Sequence, residues 1–451
     1  MTKLFHRDGL AALSDWGRAS PRKPLVVRGA RQVGKTSLVR LFARNYRRFA
    51  ELNLERKTHA DLFRRGLNPD EVIQAILLEC AVPPGTEPLL LFLDEIQEVP
   101  EAVALLRFFY EERPDIHVIA AGSLLELALE SAAISFPVGR VQYLYVRPLS
   151  FCEFLSAMAE TAAREAVETV PVLPHAHDKL LRLFHQYALV GGMPEAVVQY
   201  RTSGGDITAV NQVYADLFAG FRDDILKYGR NETMRKILLH SLDAAPYEAG
   251  SRITFQGFGV SSYRSREAGE ALRTLARAML MELVYPTVQV REPLTPDYKK
   301  SPRLHFVDVG LVNHRAGLQR ALIGVQDLTD VHRGRLIEQV VGQELKTIQV
   351  RSDIPLAFWV RDKAQSQAEV DFLLTSDQGV VPVEAKSGTE GKLRSLHQFI
   401  SRSKAGLAVR LYAGRPGRQK ITTTDRDYTL LDVPYYASAQ IMRYIALEKD
   451  L

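Results

Sequence analysis

Eight consecutive residues restrict the fold of this chain more than any others: Gly29-Ala30-Arg31-Gln32-Val33-Gly34-Lys35-Thr36. They follow an apolar run, Pro24-Leu25-Val26-Val27-Arg28, and precede a helical pattern over 35–45. Strand, glycine loop and helix in that order make a phosphate-binding loop. The glycines let the backbone curl until its N–H groups face inward as an anion nest, and the helix N-terminus adds a favourable dipole. On this reading Gly29 to Thr36, with Ser37 after them, cradle the phosphates of ATP. Lys35 reaches the β/γ-phosphates and the Thr36 hydroxyl takes a Mg²⁺ position.

A chain of 451 residues exceeds what one core supports, so several domains are expected. Texture divides it into 1–155, 156–232, 233–325 and 326–451. The first region alternates short apolar runs with helical patterns, as a parallel sheet covered by helices does. Its strands are expected at 24–28, 46–54, 89–94, 117–121 and 141–146. The second region reads as helical and contains Gly191-Gly192-Met193-Pro194, a stop or tight turn. The formal charge of +5 tolerates a nucleic-acid partner without demanding one. The two cysteines, Cys80 and Cys152, form no CxxC, which argues against a disulfide framework or a structural zinc site. No apolar signal core or membrane-spanning run is seen, so the expected compartment is the cytoplasm.

The loop alone implies binding; hydrolysis needs further groups. Leu89-Leu90-Leu91-Phe92-Leu93 ends in Asp94-Glu95, an acidic pair at the carboxyl end of a buried strand. Asp94 is expected to hold Mg²⁺ and Glu95 to polarise the attacking water. Ser123 is a candidate to sense the γ-phosphate or orient water, and equally an N-cap for a helix over 124–129. Arg140 is a candidate to act on ATP in cis or in a neighbour's site as an arginine finger; a plain surface arginine is the alternative.

These motifs, with Phe5-His6-Arg7, Asn53-Leu54-Glu55, Leu93-Asp94-Glu95-Ile96-Gln97, Ala121-Gly122-Ser123, Pro148-Leu149-Ser150-Phe151 and Gly191-Gly192-Met193-Pro194-Glu195, resemble a large group of prokaryotic AAA+-type ATPases related to archaeal and STAND-like ATPases. The resemblance implies a helical lid with Pro194 near the adenine, a winged-helix unit, a C-terminal nuclease-like domain, and assembly of copies into an oligomer such as a ring.

The later residues carry their own signals. Helical patterns over 232–244 and 263–281, followed by strands over 284–290 and 303–307, give the order of a winged helix-turn-helix. Arg264, Arg266, Arg273 and Arg277 lie on or before the second helix, and Lys299, Lys300 and Arg303 in the wing. They are candidates to contact DNA, branched or single-stranded; a solvated helix face or a protein-binding module is the other reading. In the last region a helix over 336–350 with Glu338 and Glu344 precedes strands carrying Asp371 and then Glu384-Ala385-Lys386. That is the order of a PD-(D/E)XK nuclease. Asp371, Glu384 and the Ala385 carbonyl would bind Mg²⁺, Glu338 a second ion, and Lys386 would orient water. Pro382 within the Glu384 strand suits an edge or a strand start.

The expected architecture is α/β: a P-loop parallel sheet, a helical lid, a winged helix-turn-helix and an α/β nuclease-like domain. The leading expectation for function is ATP turnover coupled to movement or remodelling of DNA. An ATP-driven switch that binds a protein partner and an ATP-gated, Mg²⁺-dependent nuclease are the alternatives.

Overall fold

The structure is a computed structural model, and it describes residues 5–123, 125, 127, 137, 139–319, 334–362, 368–388, 393–424 and 426–449. Two compact units emerge. The first comprises Met1–Arg147, Arg277–Met279 and Gln349–Asp353; the second comprises Pro148–Ala276, Leu280–Ile348 and Ile354–Leu451. The regions expected as lid, winged helix and nuclease-like domain thus share the second unit.

The first unit is built on a five-stranded sheet of order β2-β3-β4-β1-β5, with β1 Leu25–Arg28, β2 Arg48–Asn53, β3 Leu89–Asp94, β4 Ile116–Ala121 and β5 Gln142–Tyr145. Every pairing is parallel. β3 and β4 are buried at every position, as strands covered on both faces must be. One cover helix, Pro69–Glu79, begins with a reciprocal Asn68/Glu71 capping box and a proline in its first turn, which together satisfy orphan N–H groups and pre-set φ. Its Val72, Ile73 and Ile76 pack into the core with Leu91, Leu93 and Leu106. No described helix is long and apolar enough to cross a membrane.

The second unit carries helices from Phe151–Ala157 to Ile441–Lys449, a two-stranded sheet and a seven-stranded mixed sheet. In the small sheet β6 Met281–Val284 pairs antiparallel with β8 Arg303–Phe306. The strand expected over 284–290 is therefore displaced. The chain leaves that ladder at Pro286, which has no N–H to donate, and β7 Pro286–Thr287 joins the edge of the large sheet instead. The helix expected over 263–281 is shorter, Ser265–Arg277; Met279 stands at a φ of 59°, which no helix continues through.

The large sheet contains β9 Ala357–Val360, β10 Glu369–Ser376, β11 Gly379–Ala385, β12 Leu407–Tyr412, β13 Gly417–Thr422 and β14 Asp427–Pro434. β11 lies between β10 and β12, inside the sheet. Pro382 is accommodated because the parallel ladder to β12 starts one residue later, at Val383. β13 and β14 have no counterpart in the sequence reading.

Candidate nucleotide site

The register of the first sheet brings three chain segments to one edge. Val27 of β1 and Asp94 of β3 are both level with Ala121 of β4. The loop after β1, the acids ending β3 and the turn after β4 therefore leave the sheet side by side at the carboxyl ends of the strands, where α/β sheets bind ligands.

The loop takes its shape from close approaches. A Cβ on Gly29 would lie 2.2 Å from the Val146 carbonyl oxygen, and Gly34 has a φ of 94°, so both positions require glycine. Arg7 braces the loop from behind: its guanidinium donates to the carbonyls of Val33 at 2.8 Å and Arg147 at 2.7 Å. Lys35 opens the helix Lys35–Ala43, and its Nζ donates to the Gly29 and Ala30 carbonyls at 3.0 and 2.9 Å. Desolvation lowers its pKa to about 8, against the attraction of Glu95 and Asp94. Arg31 is half-buried, Val33 is buried, and Gln32 and Ser37 are exposed.

Thr36 Oγ1 donates to Asp94 Oδ2 at 2.8 Å. The other Asp94 oxygen, Oδ1, is buried without a partner. Burial pushes the Asp94 carboxyl upward, with the Thr36 bond opposing. A buried acceptor with an open lone pair beside a hydroxyl is a donor set for a hard divalent cation, which prefers carboxylate and hydroxyl oxygen. These residues fit Mg²⁺.

Glu95 sits at a φ of 52°, a left-handed conformation uncommon for a side-chain residue and concentrated at functional sites. It turns its carboxylate toward the end of β4. There Glu95 Oε2 accepts from Ser123 N at 3.2 Å, Ser123 Oγ at 3.0 Å and Gln97 Nε2 at 2.7 Å. Ser123 thus acts on Glu95 in this arrangement; the helix it was expected to cap lies largely outside the described residues. Gln97 and Gly122 complete the clamp, since a Cβ on Gly122 would stand 2.3 Å from Gln97 Oε1. The sequence alone assigns no role to Gln97, Gly122 or Arg7, although each lies in a motif that carries the family resemblance. Gln97 stands two residues after Glu95 in the same motif; the Phe5-His6-Arg7 motif marks Arg7 but not the carbonyls that it braces.

Arg140 is elsewhere. It precedes β5, whose first residue Gln142 is level with Leu25, the first residue of β1. The loop leaves the opposite end of β1, on the order of 13 Å away at about 3.3 Å per residue. Arg140 Nε donates to Glu111 at 2.8 Å and the side chain is 43% exposed. A role on ATP in cis is thereby corrected: the sheet separates Arg140 from its own loop.

In the second unit Pro194 opens the helix Pro194–Thr202, and the turn before it is gripped internally. Asp308 Oδ2 accepts from Gly192 N at 2.6 Å. A Cβ on Gly191 would meet Asp308 Oδ1 at 2.4 Å, and one on Gly192 the Leu149 carbonyl at 2.3 Å. Arg264, Arg266, Arg273 and Lys299 are exposed, with Arg273 lying over the Phe255 ring at 5.9 Å. Lys300 is half-buried, 4.0 Å from Asp362.

The acids of the last region converge, but not around an open point. Arg303, read as a wing cation, is 3% exposed and reaches Glu338, Glu369 and Asp371. The Ala385 main chain engages Asp371 through its N–H at 2.9 Å, where its carbonyl was expected as a metal ligand. Lys386 Nζ pairs with Glu384 Oε1 at 2.5 Å. Glu344 is fully buried elsewhere, accepting from Phe151 N and Tyr187 OH. Among the described residues no group of three His, Cys, Asp or Glu side chains is placed to hold a metal ion.

Comparisons with known proteins follow this division. Residues 181–322 match a domain of unknown function (DUF8612) and residues 333–436 another (DUF4143). No curated protein matches the sequence. Among solved structures, the Walker-type ATPase PABY2304 of Pyrococcus abyssi is 16% identical, with a TM-score of 0.46 over 69% of this chain and 96% of that one. The ORC1 protein of Aeropyrum pernix in complex with DNA is 16% identical, with a TM-score of 0.31 over 70% of this chain and 94% of that one. Residues 21–155 match the AAA domain, and the parallel sheet, phosphate loop and acidic strand end lie within that span.

Proposed function

We propose that the first unit hydrolyses ATP and that turnover serves work on nucleic acid. The observation that carries hydrolysis is the clamp on Glu95. Three donors converge on one carboxylate oxygen beside a strand end where Asp94 faces Thr36. A switch that only bound nucleotide would need no second acid held this way.

The geometry supports a division of labour among these residues. The loop N–H groups and Lys35 bind the β/γ-phosphates. Thr36 Oγ1 and Asp94 Oδ1 would hold Mg²⁺, which when bound neutralises charge on the phosphates. Glu95 takes a proton from the attacking water at its carboxylate, and Ser123 and Gln97 hold that carboxylate at one angle. Arg140, exposed at the far edge of the sheet, suits a neighbouring copy's site better than its own. The likeness to AAA+-type ATPases supports assembly of copies.

The nucleic-acid part rests on exposed cations, Arg266 and Arg273 on the helix Ser265–Arg277, Arg264 just before it and Lys299 in the later loop. Such a group neutralises phosphates and makes binding salt-dependent. The test is steady-state ATPase across single-stranded, duplex and branched DNA at two salt concentrations, with particle mass measured plus and minus ATP. Stimulation of several-fold that weakens with salt is expected. ATPase unmoved by every nucleic acid returns the chain to a nucleotide switch acting on a protein partner. Lys35→Ala must lose ATP binding; retained binding overturns the whole reading.

A further inference from the structure

The acid cluster of the second unit has the residue types and order of a metal-dependent nuclease centre, so its fit to a divalent ion can be judged from the contacts. A Mg²⁺ or Mn²⁺ ion needs several oxygen lone pairs converging on one point, with octahedral angles. At this point stands a guanidinium. Arg303 Nη1 lies 3.0 Å from Glu338 Oε2, Nη2 lies 3.5 Å from Asp371 Oδ1, and Nη2 also bonds Glu369.

The guanidinium is fixed by more than charge. Nη1 donates to the Asp371 carbonyl at 3.1 Å, and the group lies over the Phe358 ring with 4.8 Å to the centroid. Its backbone is held in β8, buried at all four positions. The remaining ligand capacity is mostly taken: Asp371 Oδ2 by the Ala385 N–H and Glu384 Oε1 by Lys386. Glu384 Oε2 is the buried oxygen left without a partner, and one oxygen does not make a metal site. Arginine cannot shed its charge in a protein, so a divalent ion here would share the pocket with a permanent cation or displace one that has nowhere wet to go.

We infer that this centre is a guanidinium-bridged carboxylate cluster in which Arg303 takes the place of a divalent metal, so that the C-terminal part of the chain holds its strands together with it and cuts no nucleic acid. The Asp371, Glu384 and Lys386 arrangement keeps the shape of a nuclease centre while the cation that would drive the chemistry is supplied by β8. The inference stands independently of ATP hydrolysis in the first unit.

The test uses the full chain without nucleotide, and the Asp371→Asn and Glu384→Gln variants separate metal held at this cluster from metal held at Thr36 and Asp94. Mn²⁺ is titrated calorimetrically and by electron paramagnetic resonance, with thermal melts plus and minus Mn²⁺. The wild type is expected to show no Mn²⁺ binding or melting shift that Asp371→Asn or Glu384→Gln removes. Arg303→Ala is expected to bind Mn²⁺ at least tenfold more tightly, and adding Asp371→Asn to remove the gain. Wild-type Mn²⁺ binding that Asp371→Asn or Glu384→Gln abolishes overturns the inference. So does Mg²⁺-dependent DNA cleavage that these two variants lose and Lys35→Ala keeps. If Arg303→Ala does not fold, the wild type against Asp371→Asn decides the question alone.

Discussion

Asp94 in the first unit keeps one buried oxygen without a donor, while Asp371 in the second has one oxygen on Arg303 and the other on the Ala385 N–H. Both acids close a strand or face one, both have a second acid and a lysine close by, and both are largely buried. The difference is who supplies the positive charge. An unpaired buried acceptor costs about 1–3 kcal/mol, and a fold retains that cost where a ligand repays it. A carboxylate bridged by an arginine of its own chain carries no such open cost and offers no such site. Residue types alone do not separate a centre that awaits a cation from one that already contains it; the neighbour on the next strand does.

The sharpest way to break the contrast is Glu95→Gln. It keeps shape and hydrogen bonding but removes the base, so kcat is expected to fall by roughly 10²–10⁴-fold with ATP affinity near the wild type's. Turnover at the wild-type rate would mean that the clamp on Glu95 serves structure, and the two acid clusters would then be alike. On the other side of the contrast, Arg303→Leu leaves Glu338, Glu369 and Asp371 buried around no cation. Loss of a partner in a buried ion cluster costs about 3–5 kcal/mol, read as a lower urea midpoint, with Arg303→Lys recovering part. Stability unchanged in Arg303→Leu would show that the guanidinium is not what holds the acids. Ser123→Ala probes the first site more gently. It removes one hydroxyl bond to Glu95 but keeps the backbone one. A hydrogen bond to a charged group is worth about 1.5–3 kcal/mol, so kcat is expected to drop roughly 10- to 100-fold with KM unmoved. A rise in KM alone would place Ser123 on the nucleotide rather than on Glu95.

How much of this was legible in the sequence follows the range of the interactions. The strand–loop–helix order around Gly29 to Thr36 and the strands β1, β3 and β4 are legible because each signal is local: glycines at fixed spacing, an apolar run, an acid at its end. Asp94 and Glu95 are marked in the same way as acids at the end of an apolar strand, whereas the bracing contact of Arg7 is not, because its partners are the carbonyls of Val33 and Arg147 and a backbone acceptor leaves no mark in composition. Arg303 was misread for a related reason. Lys299 and Lys300 precede it and suggest a cationic wing, yet Arg303-Leu304-His305-Phe306 is a strand buried at every position. Its carboxylate partners Glu338, Glu369 and Asp371 are distant in sequence, so only the register of separate elements brings them together. The Pro286 break, which moves β7 to another sheet, was visible as a proline but not as a change of sheet.

The smallest effect expected belongs to Lys35, and its sign follows from its surroundings. Burial brings its pKa down to about 8, because the charged form loses hydration that Glu95 and Asp94 only partly replace. A bound phosphate restores the charged form, so ATP binding takes up a proton wherever free Lys35 is neutral. Affinity is therefore fully present below pH 8 and is lost as pH rises through 8. The phosphate's own last ionisation, near about 6, is complete in that range and does not confuse the trend. If only the protonated lysine binds, affinity falls about twofold at pH 8 and about tenfold at pH 9, from the 1.36 kcal/mol that one pKa unit represents. A non-hydrolysable ATP analogue titrated at pH 7, 8 and 9, with circular dichroism to show the fold intact, makes the measurement. A flat affinity across that range would mean that Lys35 is solvated enough to stay charged, and that the loop's close contacts with it open before the nucleotide arrives.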